Sequence, residues 1–194
     1  MKNAIIIFIT CLLFVSCKQE CNDDPNLTTT ELSWLSYNGG EVLIFKSNSG
    51  LYDTAKIQNR VIGLYSCQTN SPSQCKHQTQ EASVSGDFNI QDFNFEIHVG
   101  HLNSDCSGCG NYPYLTRYNP DNGLYFSNFN PVNNIVINNI SYNNVYILTE
   151  DTTHWISQPI SEQGATDIWK IYYTQQNGIL EFDYWHGLSW IRIN

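Results

Sequence analysis

After its opening residues, this chain repeats one grammar of short apolar and polar runs cut by turn residues. Glu41–Ser47 is a compact apolar run following Gly39-Gly40. Tyr52, Thr54, Lys56 and Gln58 alternate with Asp53, Ala55 and Ile57, as on a half-exposed strand, and Arg60–Ser66 is a further candidate. Phe93, Phe95, Ile97 and Val99 recur at period two. Phe88 and Ile90 fall on the opposite parity, so a bulge near Gln91-Asp92 is needed to bring all six to one face. Ile135–Leu148 is punctuated by asparagine pairs at 133/134, 138/139 and 143/144. One pair is expected to be a two-residue hairpin turn, because Asn tolerates positive φ. At the C-terminus, Ile168–Thr174 and Ile179–Tyr184 flank Gln175-Gln176-Asn177-Gly178, whose Asn-Gly step is a strong hairpin signal. A turn at His186-Gly187 then leads into Leu188–Ile193. These runs predict a terminal three-stranded meander.

Composition agrees with strands. The chain holds 12 Tyr, 9 Phe and 5 Trp, and good helix formers are scarce. The expected fold class is all-β or mainly β: a single-domain antiparallel curved sheet or sandwich with little helix.

The opening residues differ from the rest. Lys2 precedes an apolar stretch, Ala4–Val15, shorter than the roughly 20 residues that cross a bilayer but long enough for a signal-peptide core. Leu13-Phe14-Val15-Ser16-Cys17 resembles the lipobox of bacterial lipoproteins, with Phe14 where that pattern has Leu. The resemblance implies cleavage before Cys17 and lipidation of its thiol, which holds a domain on a membrane without a transmembrane helix. The expected organisation is a signal peptide at 1–16, a lipidated cysteine and flexible tether at 17–33, and a β-rich domain at 34–194. Lys18-Gln19-Glu20 is similar to the short signals that send lipoproteins of Bacteroidota to the cell surface. The localisation implied is the outer membrane, facing outward.

The meander residues Ile171-Tyr172-Tyr173, Gly178-Ile179-Leu180-Glu181-Phe182 and Gly187-Leu188-Ser189-Trp190 resemble the ending of small Bacteroidota lipoproteins. Phe45-Lys46-Ser47-Asn48-Ser49-Gly50 with Asp53-Thr54 has the same character. This likeness implies a lipid-anchored antiparallel β domain and carries no catalytic residues across.

The formal net charge is −9, with 9 Lys plus Arg against 18 Asp plus Glu, and losing Lys2 with the leader makes it more acidic. Such a chain repels phosphate backbones, so nucleic acid is excluded as a partner. Apart from Cys17, and from Cys11 in the leader, the cysteines are Cys21, Cys67, Cys75, Cys106 and Cys109. In an exported domain, Cys67, Cys75, Cys106 and Cys109 are expected to form two disulfides, Cys67 with Cys75 and Cys106 with Cys109 by first choice. The sharper alternative is a metal held by His98, His101, Cys106 and Cys109. Against it, residues three apart at a strand end point to opposite faces unless the chain turns at Gly100.

No Gly-x-Ser-x-Gly elbow, phosphate loop or His-Glu-x-x-His helix is present, and no cofactor is expected. Glu181 and Asp183 share one face of a strand, as a glycosidase pair could, but read more simply as a solvated face opposite Leu180, Phe182 and Tyr184. Trp169 and Trp190 read as core residues of the meander. Trp155 and Trp185, in a loop and a turn, are candidates for an exposed aromatic platform that stacks on sugar rings. The leading functional reading is a non-catalytic surface lipoprotein that is structural or binds a glycan or a cell-surface protein. A small hydrolase or metal-dependent enzyme is the alternative.

Overall fold

A computed structural model of the chain describes residues 26–68, 76–89, 94–100, 113–117, 119–149, 168–185 and 187–194. The fold is mainly β, an antiparallel sheet curled into a half-barrel with a small second sheet. The strands are β1 (Val42–Ser47), β2 (Tyr52–Ile57), β3 (Val61–Gln68), β4 (Lys76–Phe88), β5 (Asn94–Gly100), β6 (Tyr114–Arg117), β7 (Asn119–Tyr125), β8 (Ile135–Ile137), β9 (Ile140–Tyr142), β10 (Tyr146–Thr149), β11 (Ile168–Thr174), β12 (Gly178–Tyr184) and β13 (Ser189–Arg192). The large sheet runs β10-β11-β12-β13-β1-β2-β4-β5-β6-β7, with β3 also on β4, while β8 and β9 pair alone. The meander is therefore present as β11–β13, and β1 joins it by pairing Phe45 with Arg192 and Ser47 with Trp190.

The inward parity read from the sequence holds on β2, where Asp53, Ala55 and Ile57 are buried, and on β5, where Phe95, Ile97 and Val99 are buried. Around Phe88 the strands depart from that expectation, while Ile90 and Phe93 lie outside the described residues. Phe88 ends β4 and Phe95 belongs to β5, its antiparallel neighbour, so no single bulged strand joins them. Strand β4 escapes the sequence pattern because its inward positions are small: Ala82, Val84 and Gly86. Gly86 has to be small, since a Cβ there would lie 2.4 Å from the Phe95 ring.

The core fills the concave side. Phe45 meets Phe88 and Phe182 at centroid distances of 5.1 and 5.4 Å, linking the meander to the β4 side of the sheet. One end is closed by the segment that follows a single helical turn, α1 (Thr29–Leu32). Trp34 packs on Phe126 and Tyr146, and Leu35 and Tyr37 are buried. Residues 27–33, expected as tether, belong to this body. Leu27 is in the core with its N–H on Gln80, and Thr28 and Glu31 form a reciprocal capping box. The Thr-x-x-Glu signature lies within a stretch whose polarity reads as spacer.

The turn asparagines resolve into distinct roles. Asn138 and Asn139 both have positive φ, 49° and 62°, and make the two-residue turn between β8 and β9. The outer pairs face each other: the Asn134 N–H donates to Asn143 Oδ1 at 3.1 Å, and the Asn144 N–H to Asn133 Oδ1 at 3.0 Å. Asn134 and Asn144 are themselves left-handed, with φ of 60° and 53°. Val132 and Val145 close the base with two backbone hydrogen bonds. This hairpin packs Ile137 and Val145 against Leu180 on the convex side of the sheet.

Gly178 has φ +74°, as the Asn-Gly turn requires, and a Cβ there would sit 2.2 Å from the Tyr37 hydroxyl. That hydroxyl accepts the Ile179 N–H at 2.7 Å. Replacing Gly178 by Val forces a left-handed β-branched residue, roughly 1–2 kcal/mol of strain, and displaces Tyr37 besides. Gly178→Val is thus expected to lower the unfolding free energy by at least that amount in urea titration. An unchanged midpoint would place the constraint elsewhere.

Candidate functional site

Among the described residues, the convex face of the meander gathers indoles, a lysine and two carboxyls, and two bulges help to put them there. Between Ile168 and Lys170 the register with β12 slips by one residue, so Trp169 and Lys170 both leave the core side while Ile168 and Ile171 stay buried. A second slip sets Leu180 and Glu181 against Tyr172, moving Leu180 out to the convex cluster. Strand periodicity alone cannot show either event. Trp169, expected in the core, is instead half-buried on the convex face, whereas Trp190 is fully buried as expected.

Trp169 meets Trp185 edge-to-face, with centroids 5.6 Å apart and planes at 89°. The Lys170 ammonium lies over the Trp169 ring, 4.1 Å from its centroid, and 5.8 Å from that of Tyr172. Trp185, the predicted platform residue, thus has an aromatic partner, Trp169, that itself carries a cation. Trp155 lies outside the described residues.

Glu181 and Asp183 occupy this same face, half-buried, with Tyr172 and Lys170 opposite them on β11. Burial pushes the Glu181 carboxyl up to about 7, helped by the Asp183 charge and by a hydrogen bond to it, with Lys170 opposing. Burial also raises Asp183, against the pull of Lys170 and of hydrogen bonds from Glu181 and Tyr172. Tyr172 is pushed up to about 12, chiefly by burial and then by the two carboxyls. The two carboxyls and the Tyr172 hydroxyl are thus coupled, and Glu181 holds its proton well above the usual carboxyl range. The pair is therefore no freely solvated face, and Leu180 does not lie opposite it with Phe182 and Tyr184.

A second cluster sits on the convex side of β4–β6. The His98 ring bridges Glu81 (Nδ1–Oε1 3.1 Å) and Glu96 (Nε2–Oε2 3.3 Å) and stacks on Tyr114 at 4.6 Å. Burial lowers its pKa, but the hydrogen bonds and charges of the two glutamates outweigh that and bring it up to about 9. Glu96 is held low by the His98 hydrogen bond, against its own burial. At neutral pH His98 is an imidazolium with both nitrogens engaged, and ligation of a metal would require losing a proton and one carboxylate. Among the described residues, no group of three His, Cys, Asp or Glu could hold a metal ion. His101, Cys106 and Cys109, the rest of that candidate set, lie outside the described residues, as do Cys17, Cys21 and Cys75. The backbone of Cys67 pairs with His77 in the β3–β4 ladder. No helix among the described residues is long and apolar enough to cross a membrane.

No protein family, curated protein or solved structure matches this chain. Its site is therefore read from its own geometry.

Glu181 keeps its proton to about pH 7 when folded, against 4.5 for the ordinary carboxyl. Folding takes up a proton in that window, so stability falls as pH rises through it. Glu181→Gln donates to Asp183 at every pH and is expected to remove that fall. Melting temperatures of the two proteins should nearly coincide below the window and separate above it, the variant melting higher. Parallel pH profiles would reject the shared proton.

Proposed function

We propose that this chain is a lipid-anchored, extracytoplasmic β domain of the outer membrane that binds a partner rather than turning over a substrate. The observation that carries this reading is the Trp169–Trp185 pair, held half-exposed on a hydrogen-bonded meander beside Lys170 and the Glu181–Asp183 carboxyls. Aromatic edges and faces fixed by backbone pairing give contact area at little entropic cost, which suits a sugar ring or a protein surface. Glu181 and Asp183 stand two residues apart on one strand, across from Tyr172 and Lys170, and each perturbs the other's protonation.

The anchor rests on the leader and on the lipobox-like sequence ending at Cys17. The same exported setting favours two disulfides among Cys67, Cys75, Cys106 and Cys109.

The anchor is tested by expressing the chain with its leader in a bacterium supplied with labelled palmitate. Label is expected in the wild-type band and absent from Cys17→Ser, and equal labelling of both would remove the anchor. The face is tested by displaying the chain on cells and measuring retention on immobilised polysaccharides and on partner-cell envelopes. Joint replacement of Trp169 and Trp185 by Ala should reduce retention by roughly tenfold or more, the scale of losing a stacked aromatic contact with its buried area. Full retention by that variant would overturn the aromatic face as the binding site.

A further inference from the structure

The asparagine hairpin leaves a groove where it crosses the end of the meander. On one side, a cleft of about 270 Å³ separates its tip, at Asn138 and Ile140, from Leu180 and the C-terminal Arg192 and Ile193. On the other, a cleft of about 440 Å³ lies between Ser141–Asn144 and the β11–β12 turn at Gln175, Gln176 and Asn177. Tyr142 and Asn177 line both, so the two clefts form one groove on either side of the tyrosine. Their volumes are on the scale of small-ligand sites, about 300–1,000 Å³.

The lining has an unusual chemistry for so acidic a chain: no Asp or Glu side chain lines either cleft. Its one side-chain cation is already engaged, because the Arg192 guanidinium donates to the backbone oxygens of Asn177 and Asn194. What remains is a row of amides. The side chains of Asn138, Gln175 and Gln176 have no hydrogen-bond partner among the described residues, and Asn143 uses only its oxygen, on Asn134. Each amide offers donors and an acceptor side by side, the complement of a hydroxyl, which both donates and accepts. Beside them are half-buried Tyr142 and the exposed Ile140 and Ile193, 52% and 43% accessible. These can cover the C–H face of a pyranose ring.

We infer that this groove is a binding site for a neutral oligosaccharide, separate from the Trp169–Trp185 face. With Arg192 already engaged and no Asp, Glu or Lys side chain in the lining, the groove favours an uncharged ligand over an acidic glycan. Peptides captured at sheets are held mainly by main-chain pairing along a free strand edge, whereas these walls present side-chain amides. The groove is built in advance. The Asn138-Asn139 turn, the reciprocal Asn133–Asn144 and Asn134–Asn143 bonds and the Val132–Val145 pair fix the hairpin, so little ordering is left for the ligand to impose.

The test uses the full chain purified in a non-glycosidic detergent. It is titrated calorimetrically with cellohexaose, mannohexaose, xylohexaose and maltohexaose, and with hexagalacturonate as the charged counterpart. At least one neutral hexamer is expected to bind. Tyr142→Ala, and Gln175→Leu with Gln176→Leu, should each weaken it about tenfold or more, as expected for lost stacking or lost polar pairs. Tyr142 also packs on the convex cluster, so Tyr142→Phe serves as the folded control and should retain most of the affinity. Leu51→Ala, exposed at the β1–β2 turn and outside both clefts, should leave this binding unchanged. The inference is overturned if no neutral hexamer binds, if hexagalacturonate binds tighter, or if the groove variants bind as well as wild type. Loss through the joint Trp169 and Trp185 replacement alone would also overturn it, by moving the sugar to the aromatic face and leaving the preceding proposal standing.

Discussion

Everything in this fold depends on closing the concave side of one curled sheet. A half-barrel leaves its apolar interior open at an end, and a short segment, Trp34–Tyr37, packs its side chains there. The segment is fastened by polar groups that would otherwise be orphaned. Ser36 Oγ meets the Tyr173 hydroxyl at 2.6 Å and donates to the Gln175 carbonyl at 2.9 Å, and Tyr173 also donates to the Trp34 carbonyl. Tyr37, pushed up to about 12 by burial, stays a neutral acceptor for the Ile179 N–H. Buried polar atoms without partners cost about 1–3 kcal/mol each, so these contacts fix where the segment lies as well as stabilising it. Gly178 follows from the same demand, because only a residue without a side chain leaves room for the Tyr37 ring.

The convex side is organised by small departures from regular pairing. One extra residue at Trp169 and another at Leu180 reverse the parity of their neighbours. The first gathers Trp169 with Lys170 and Trp185. The second provides an apolar seat at Leu180 for the asparagine hairpin. The aromatic face and the amide groove thus share an origin in the meander, though they differ in chemistry. One holds cation, carboxyls and indoles, and the other holds almost nothing ionised.

Electrostatics follow the same economy. An acidic chain that brings two carboxyls together on a half-buried face raises the affinity of one for its proton, as at Glu181. Where a histidine can intervene, it takes the charge instead, as His98 does between Glu81 and Glu96. Both arrangements use ionisable groups to hold strands in register, with the His98 clamp spanning β4 and β5.

Alternation along β2 and β5, the Asn-Gly step at 177–178 and the shortage of helix formers were enough to determine an antiparallel β domain ending in a meander. These are local signals: period two reports which side of a strand is buried, and a left-handed turn residue reports where the chain reverses. The capping box at Thr28 and Glu31 was equally local and was masked by the polarity around it. Three features were decided by the tertiary structure. Strand β4 faces inward through Ala82, Val84 and Gly86, and the lack of a side chain at Gly86 makes sense only under Phe95. The bulges at Trp169 and Leu180 exist only relative to a paired strand, so no property of one segment reveals them. The three asparagine pairs look alike in sequence, yet one is a turn and two are a facing brace, because hydrogen bonds across the hairpin assign the difference.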